Sequence, residues 1–325
     1  MNVAFAGFRH GHVFSALEYI RTVPDINIVA SWEIDASSKE EAKRHAVEIT
    51  HEDYDEMLRL KDIDIVVIGD YYSARGEKTI KALKSGRHVY TDKPVCTSLD
   101  ELGEIERLTK EKNLCLGCIL DLRCCSAAAA AKETVKSGSL GKIHNISFGG
   151  QHALNYGSRP GWYFEKGKHG GTINDIAVHG IDLIRYITGK GLKEVLAARC
   201  WNAYAEHEPD FLDSAQLMAV FEESTGVIAD VSYSMPYPIS YKVPQSWRFT
   251  FWGENGIMEF NGSDDFVTLS LKGSKEAQKV FAMPATVNPF EDFIMEINGS
   301  PTALCTREII RASKDTLEIQ KRSRT

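Results

Sequence analysis

Ile63-Asp-Ile-Val-Val-Ile-Gly69 is the clearest strand in the chain, a short and nearly unbroken apolar run stopped by glycine. That is the pattern of a strand buried on both faces of a parallel sheet. The same unit recurs on either side of it. Upstream, Asn2 to Ala6 is an apolar run ending at Gly7, Val13 to Arg21 is helix-like, and Ile26 to Trp32 is a second strand ending at Glu33 and Asp35. Ser37 or Ser38 is placed to cap the next helix, which runs to about Val47. Downstream, Glu77 to Ser85 is a helix closed by Gly86, and His88 to Thr91 is a strand running into Asp92-Lys93-Pro94. Ser98 to Lys112 follows as a helix with a Ser98/Glu101 capping box, and Leu114 to Ile119 is a fifth strand. Repeated β-α-β units predict a doubly wound parallel sheet of α/β class, and ligands on such sheets bind beyond the carboxyl ends of the strands.

Those ends carry Gly7, Glu33, Gly69 and Lys93. A glycine turn after the first strand and an acid after the second match dinucleotide binding, with pyrophosphate at a helix N-terminus and ribose hydroxyls on the acid. The fingerprint is altered, because Arg9 and His12 stand where the second and third glycines of G-x-G-x-x-G belong. Glu33 followed by Ile34 favours NAD over NADP: a carboxylate repels a 2′-phosphate, and the next position offers no arginine to receive one.

From about Asp121 the pattern changes to one alanine-rich helix, Ser126 to Lys136, and then long alternating strands: Lys142–Gln151, Lys193–Ala203, Ala215–Glu222, Gly226–Ser234, Trp247–Trp252 and Gly256–Phe260. Strands joined by short turns predict a mostly antiparallel sheet with helices on one face. Two units are expected, 1–120 and 121–325, with closing helices at Pro289–Ile297 and Thr306–Lys321 that pack back toward the first unit. Within the second, Gly170 to Thr188 reads as a helix on which Asp175, His179 and Asp182 share a face, with Gly170 and Gly171 leaving room for a ligand at its start. A carboxylate beside a histidine is a proton-transfer pair or a solvated stripe of an ordinary helix. The loop Gln151 to Glu165 gathers His152, Tyr156, Arg159, Trp162 and Tyr163 beside glycines, the composition of a polar-rimmed pocket or of an anchored surface loop.

The whole-chain balance narrows the function. A net charge of −7 argues against general nucleic-acid binding and against an anionic membrane surface. No apolar run reaches the about 20 residues that span a bilayer. Met1-Asn-Val-Ala-Phe-Ala-Gly lacks the basic leader of a signal peptide, and seven cysteines, an odd number, suggest reduced thiols in the cytoplasm. Cys115 and Cys118 fall in a strand, where residues three apart point to opposite faces, so they are read as core thiols. No metal is expected, because Asp175, His179 and Asp182 lack Cys or His partners at ligand spacing.

Thr91-Asp-Lys-Pro94 resembles the E-K-P element of the Gfo/Idh/MocA family, named for glucose–fructose oxidoreductase and inositol dehydrogenase. Gly170 to Asp182 resembles that family's G-G-G-x-x-x-D-x-x-x-H-x-x-D helix; Ser137–Lys142, Arg159–Trp162 and Gly253–Glu259 also match its segments, in the right order. The resemblance implies a Rossmann domain followed by an α/β domain with an open antiparallel sheet. It implies NAD(P)-linked hydride transfer to or from a secondary alcohol or ketone of a sugar or polyol, with Lys93, Asp175 and His179 as catalytic residues. Cofactor contacts are then expected at Gly7, Phe8, Arg9, His10, Glu33, Gly69, Asp70, Tyr71, Arg75, Asp92 and Lys93. Substrate contacts are expected at Arg123, His152, Tyr156, Arg159, Trp162, Tyr163 and Asp175, with an anionic group near Arg123 or Arg159. Departures lie on the cofactor side: Asp92 replaces a glutamate, and Asp70 requires neutralising by Arg9 or Arg75, so Arg9, His10 and Arg75 are expected to form a cationic rim. Other family-type readings are NAD-using glycoside hydrolysis or elimination with transient redox, and a cofactor-impaired sugar-binding protein. Homodimers or homotetramers through the C-terminal sheet are expected.

Overall fold

The computed structural model describes residues 1–236, 238–284 and 288–323. The first part contains β1 (Asn2–Ala6), α1 (His12–Ile20), β2 (Asn27–Trp32), α2 (Ala36–Arg44), α3 (Tyr54–Met57), β3 (Ile65–Ile68), α4 (Tyr72–Lys84), β4 (His88–Thr91), α5 (Leu99–Lys112) and β5 (Leu116–Cys118). The strands form one parallel sheet in the order β2-β1-β3-β4-β5. Its central strands are buried on both faces, as the apolar runs require, and each face carries its own core.

The second part contains α6 (Ser126–Lys136), β6 (Ile143–Gln151), a π-helical turn at Ile173–Ala177 running into α7 (Val178–Thr188), and β7 (Leu192–Trp201). After these come β8 (Ser214–Phe221), β9 (Thr225–Ser232), β10 (Trp247–Gly253), β11 (Gly256–Asn261), β12 (Phe266–Leu271), β13 (Gln278–Phe281), α8 (Pro289–Ile297) and α9 (Thr306–Arg322). The strands form a sheet ordered β13-β12-β11-β10-β6-β9-β8-β7, antiparallel except where β6 runs parallel to β9. Along β8, Leu217, Ala219 and Phe221 point into the core while Met218 is exposed, the period-2 alternation of a one-sided sheet. Gly180 lets α7 approach closely, since a Cβ there would meet the Phe148 ring at 2.3 Å. On the other side of the molecule, Phe290 and Phe293 of α8 pack on Tyr90 of β4, and α9 packs against α5, α7 and β5.

Local readings shift in three places. Asp35, not Ser37 or Ser38, caps α2, its carboxylate accepting from the Ser38 N–H. Helix α4 begins at Tyr72, directly after β3, because Tyr72 and Arg75 are buried anchors rather than loop residues. The Gly170–Thr188 segment is not one regular helix, because its first ordered turn is π-helical and carries Asp175. The expected Ser98/Glu101 box is present, with the Ser98 hydroxyl accepting from Glu101 N–H and the Glu101 carboxylate accepting from Thr97 N–H.

Candidate active site

The β4 strand ends at Thr91 and delivers Lys93 into the space between the two sheets, where the π-helical turn delivers Asp175. Lys93 Nζ lies 2.6 Å from Asp175 Oδ1 and 3.1 Å from the Asp175 backbone oxygen. The second carboxylate oxygen accepts from the Tyr233 hydroxyl, which also meets His169 Nε2 at 2.8 Å. Burial alone would raise the Asp175 carboxyl, but Lys93 and His169 outweigh it and hold the group well below the usual carboxylate range. Asp175 therefore stays ionised.

One turn on, His179 is 5% exposed, and its Nδ1 has no hydrogen-bond partner among the described residues. The nearest carboxylate is Asp121, whose Oδ1 is 3.8 Å away. Burial and the neighbouring Lys93 charge lower the His179 imidazole well below its ordinary value, so it is neutral at physiological pH. His152 is pushed down to about 3 by the same two causes. Lys93, Asp175, His179, His152, Arg159, Tyr163, His10, His12 and Asp121 line one cavity of about 340 Å³, with Tyr241 and Trp247 also on its wall.

The edge facing β1 and β2 is occupied by charge pairs. Gly7 takes φ +92°, and a Cβ there would lie 2.9 Å from the Asp70 nitrogen, so only glycine fits the turn. Gly69 is equally tight, against Val13. Glu33 is fully buried: it accepts from the backbone N–H groups of Phe8, Ile34 and Asp35 and from the Arg9 guanidinium. Arg9 also lies 3.4 Å from Asp70, and Lys78 Nζ lies 2.8 Å from the other Asp70 oxygen. Asp70 is thus neutralised by Arg9 and Lys78, not by Arg75. The Tyr71 ring lies under Arg9, and its N–H bonds the Asp70 carboxylate. Phe8 offers only its backbone, because its ring packs between Phe5 and Phe14.

Several expected contacts are placed elsewhere. Arg75 is completely buried and holds Asp92 at 2.9 Å along with the carbonyls of Asp70 and Lys93, so it braces the β4 end instead of forming a rim. Arg123 makes a two-pronged pair with Asp182, at 2.6 and 2.5 Å, and bonds the Ala303 carbonyl, which leaves it no free face for an anionic substrate. Asp182 is accordingly a structural partner. Tyr156 is 58% exposed and bonds Glu208. Trp162 donates its indole N–H to the Arg9 carbonyl at 3.0 Å. Arg159, by contrast, stays on the cavity wall, with Nε on the Leu154 carbonyl, one terminal nitrogen on the Ala153 carbonyl and its guanidinium over Tyr163. Gly170 and Gly171 make room for protein, not ligand: a Cβ at Gly171 would meet the Gln320 side chain at 2.3 Å, and one at Gly170 would meet Thr97 at 2.4 Å.

Sequence reasoning missed His12, Tyr72, His169, Lys78 and Tyr233. The His10-Gly-His12 spacing was a usable signal, whereas Tyr233, just past the end of β9, reaches Asp175 through the pairing of β9 with β6 on one side and β8 on the other. His10 Nδ1 lies 2.5 Å from Asp92 Oδ2, His12 Nδ1 lies 3.1 Å from Asp92 Oδ1, and His10 Nε2 lies 3.3 Å from the Tyr72 hydroxyl.

Comparison with known proteins agrees with this architecture. Residues 1–119 match the model of an oxidoreductase family with an NAD-binding Rossmann fold, and residues 128–259 match that of the GFO/IDH/MocA C-terminal domain. The chain belongs to the Gfo/Idh/MocA family of oxidoreductases, and its N-terminal part is that family's NAD-binding Rossmann domain. Levoglucosan dehydrogenase of Pseudarthrobacter phenanthrenivorans is 30% identical over 46% of this chain and 40% of its own length. The scyllo-inositol 2-dehydrogenase (NAD(+)) of Bacillus subtilis is 26% identical over 71% of this chain and 66% of its own. In both, the match spans less than two thirds of the relative. A solved levoglucosan dehydrogenase in complex with NADH and levoglucosan shares the fold, with a TM-score of 0.80 over 100% of this chain and 97% of that one at 19% identity.

Proposed function

We propose that this protein transfers hydride between a nicotinamide cofactor and a secondary alcohol or ketone of a sugar, polyol or related small molecule. The observation that carries this reading is the cluster of Lys93, Asp175 and a neutral His179 around one cavity beyond the end of β4. The residues fit a dinucleotide. The turn at Gly7 tolerates no side chain, and α1 starts at Gly11 and His12 without a side-chain cap, its Val13 and Phe14 N–H groups held only by the His10 and Gly11 carbonyls of the same turn, so that the positive end of the helix faces a phosphate. Arg9 and Lys78 already balance Glu33 and Asp70, so a pyrophosphate would draw Arg9 away from those carboxylates. Glu33, a carboxylate where a 2′-phosphate would have to lie, favours NAD over NADP, and because it is buried and paired with Arg9, ribose hydroxyls reach it only as Arg9 turns to the pyrophosphate.

Bound NAD would supply the hydride acceptor. The chain's part is proton and charge handling. His179, kept neutral by burial, accepts the hydroxyl proton as hydride leaves the carbon. An ammonium has three N–H donors. Two of those on Lys93 are held by Asp175, and the third is available to the reacting oxygen, where negative charge develops. Asp175, fixed by Lys93, Tyr233 and His169, sets the position of that ammonium. Arg159 and His152 supply polar contacts to a hydroxylated substrate.

We also infer that two copies associate through the outer face of the large sheet. Leu196, Met218, Ile228 and Trp252 are exposed there beside Arg199, Arg248 and Asp230, a mixed-charge apolar face that suits a twofold contact. Light scattering of the purified protein checks this.

The deciding assay is a panel of polyols, sugars and sugar acids with NAD or NADP, followed by nicotinamide absorbance. Cofactor reduction with at least one class is expected. No reduction, together with no NADH binding at millimolar concentration, would overturn the proposal.

A further inference from the structure

Two departures from the family's dinucleotide pattern meet in space. His12 replaces the third glycine of the β1 turn, and Asp92 replaces the glutamate after β4; with His10 they place two imidazoles and a carboxylate whose ligand atoms all lie within 4.8 Å of one another. We propose that His10 Nδ1, His12 Nδ1 and an Asp92 oxygen form a binding site for a divalent transition metal, open toward the substrate cavity.

The chemistry of the donor set suits such an ion: two imidazoles and one carboxylate, with the remaining coordination positions left to solvent or substrate hydroxyls. Ligand atoms about 2.0–2.1 Å from a zinc-type ion stand roughly 3 Å apart. The two imidazoles meet different Asp92 oxygens, His10 Nδ1 at 2.5 Å from Oδ2 and His12 Nδ1 at 3.1 Å from Oδ1, and the three ligand atoms lie within 4.8 Å of one another, so an ion between them requires the His10–Asp92 contact to open and one carboxylate oxygen to serve as ligand. The site is also supported from behind, as metal ligands usually are. The Tyr72 hydroxyl at His10 Nε2 fixes the imidazole with its other nitrogen toward Asp92, and the buried Arg75 holds Asp92 Oδ2 at 2.9 Å while Oδ1 faces His12. A second, independent observation lies across the same cavity, where the buried His179 Nδ1 has no partner among the described residues. His12, the most exposed of the three, leaves a path for the ion to enter.

The proposed site shares His10 and Asp92 with the expected cofactor contacts, so its test is run without nicotinamide. The full-length protein, stripped with chelator, is titrated with Co²⁺ and followed by its visible ligand-field bands and by calorimetry. One ion per chain is expected, without thiolate charge-transfer absorption from the seven cysteines. His12→Ala should lose binding by more than tenfold while its thermal melt stays close to wild type. Tyr72→Phe, which removes the outer partner of His10 along with the hydrogen bond to the Tyr163 hydroxyl but none of the proposed ligands, should weaken it by about 10-fold or more. Failure of the wild type to take up Co²⁺, Zn²⁺ or Mn²⁺, or uptake unchanged in His12→Ala, would overturn the site. NADH titration of the same His12→Ala protein separates this result from the fate of the dehydrogenase reading.

Discussion

Lys93 and Asp175 form a buried ion pair, 2.6 Å apart and each about 2% exposed, that ties the end of β4 to the π-helical turn before α7. Together with the Asn174 side-chain amide, which donates to the Cys96 carbonyl at 3.0 Å, it joins the end of the parallel sheet to the helical layer of the second sheet. Removing one partner of a buried pair leaves the other charged without compensation. Lys93→Met is expected to destabilise the protein by about 3 kcal/mol, read by urea unfolding, and to abolish turnover. Stability equal to wild type would mean that Tyr233 and His169 satisfy Asp175 without the lysine.

His179→Ala tests the proton acceptor. Turnover should fall by about 10² to 10⁴, the usual contribution of a positioned acid–base, while NADH affinity by fluorescence titration stays the same. Undiminished turnover would remove His179 from the mechanism.

Acid sensitivity follows from the depressed histidines. His152, lowered to about 3, and His179, also lowered, stay neutral in the fold, while the unfolded chain protonates them near pH 6.5. Below that pH the unfolded state binds more protons, so stability falls as pH falls from about 6.5, by up to about 1.4 kcal/mol per pH unit for each histidine. The midpoint of denaturant unfolding between pH 7.5 and 5 measures it. A flat profile over that window would contradict the burial of both rings.

Arg9→Ala isolates the charge network of the cofactor edge. It leaves the Glu33 and Asp70 carboxylates without their shared guanidinium, and only Asp70 retains a cation, Lys78. NADH affinity is expected to drop by about tenfold or more, with the loss smaller at high salt. An affinity gain would instead show that Arg9 blocks the groove.

Arg123→Met separates structure from substrate binding. Asp182, buried and raised above its ordinary value by that burial despite Arg123, would lose its partner. A loss of about 3 kcal/mol in stability with KM unchanged is expected, whereas a large KM effect would return Arg123 to the substrate site.

The Rossmann half was legible because its signals are local: short apolar runs, a capping box at Ser98 and Glu101, and glycine stops. The late strands β12 and β13 escaped because both are short: Phe266–Leu271 interleaves Thr268 and Ser270 with its apolar residues, and Gln278–Phe281, at the sheet edge, carries only two apolar residues after Gln278 and Lys279. At the site, motif and spacing singled out Lys93, Asp175 and His179, and the structure places all three on one cavity. The fates of Arg75 and Arg123 were not, because a guanidinium's partner is set by what the fold brings opposite it, here Asp92 from β4 and Asp182 from α7.

The indole hydrogen bond from Trp162 to the Arg9 carbonyl carries one more consequence. Any ligand that shifts the glycine turn changes the polarity around a tryptophan held on the opposite half of the molecule. With Trp32, Trp201, Trp247 and Trp252 replaced by phenylalanine, the protein would carry its own optical probe of the β1 turn: a shift in Trp162 emission would report occupancy in real time, without a label and without a known substrate.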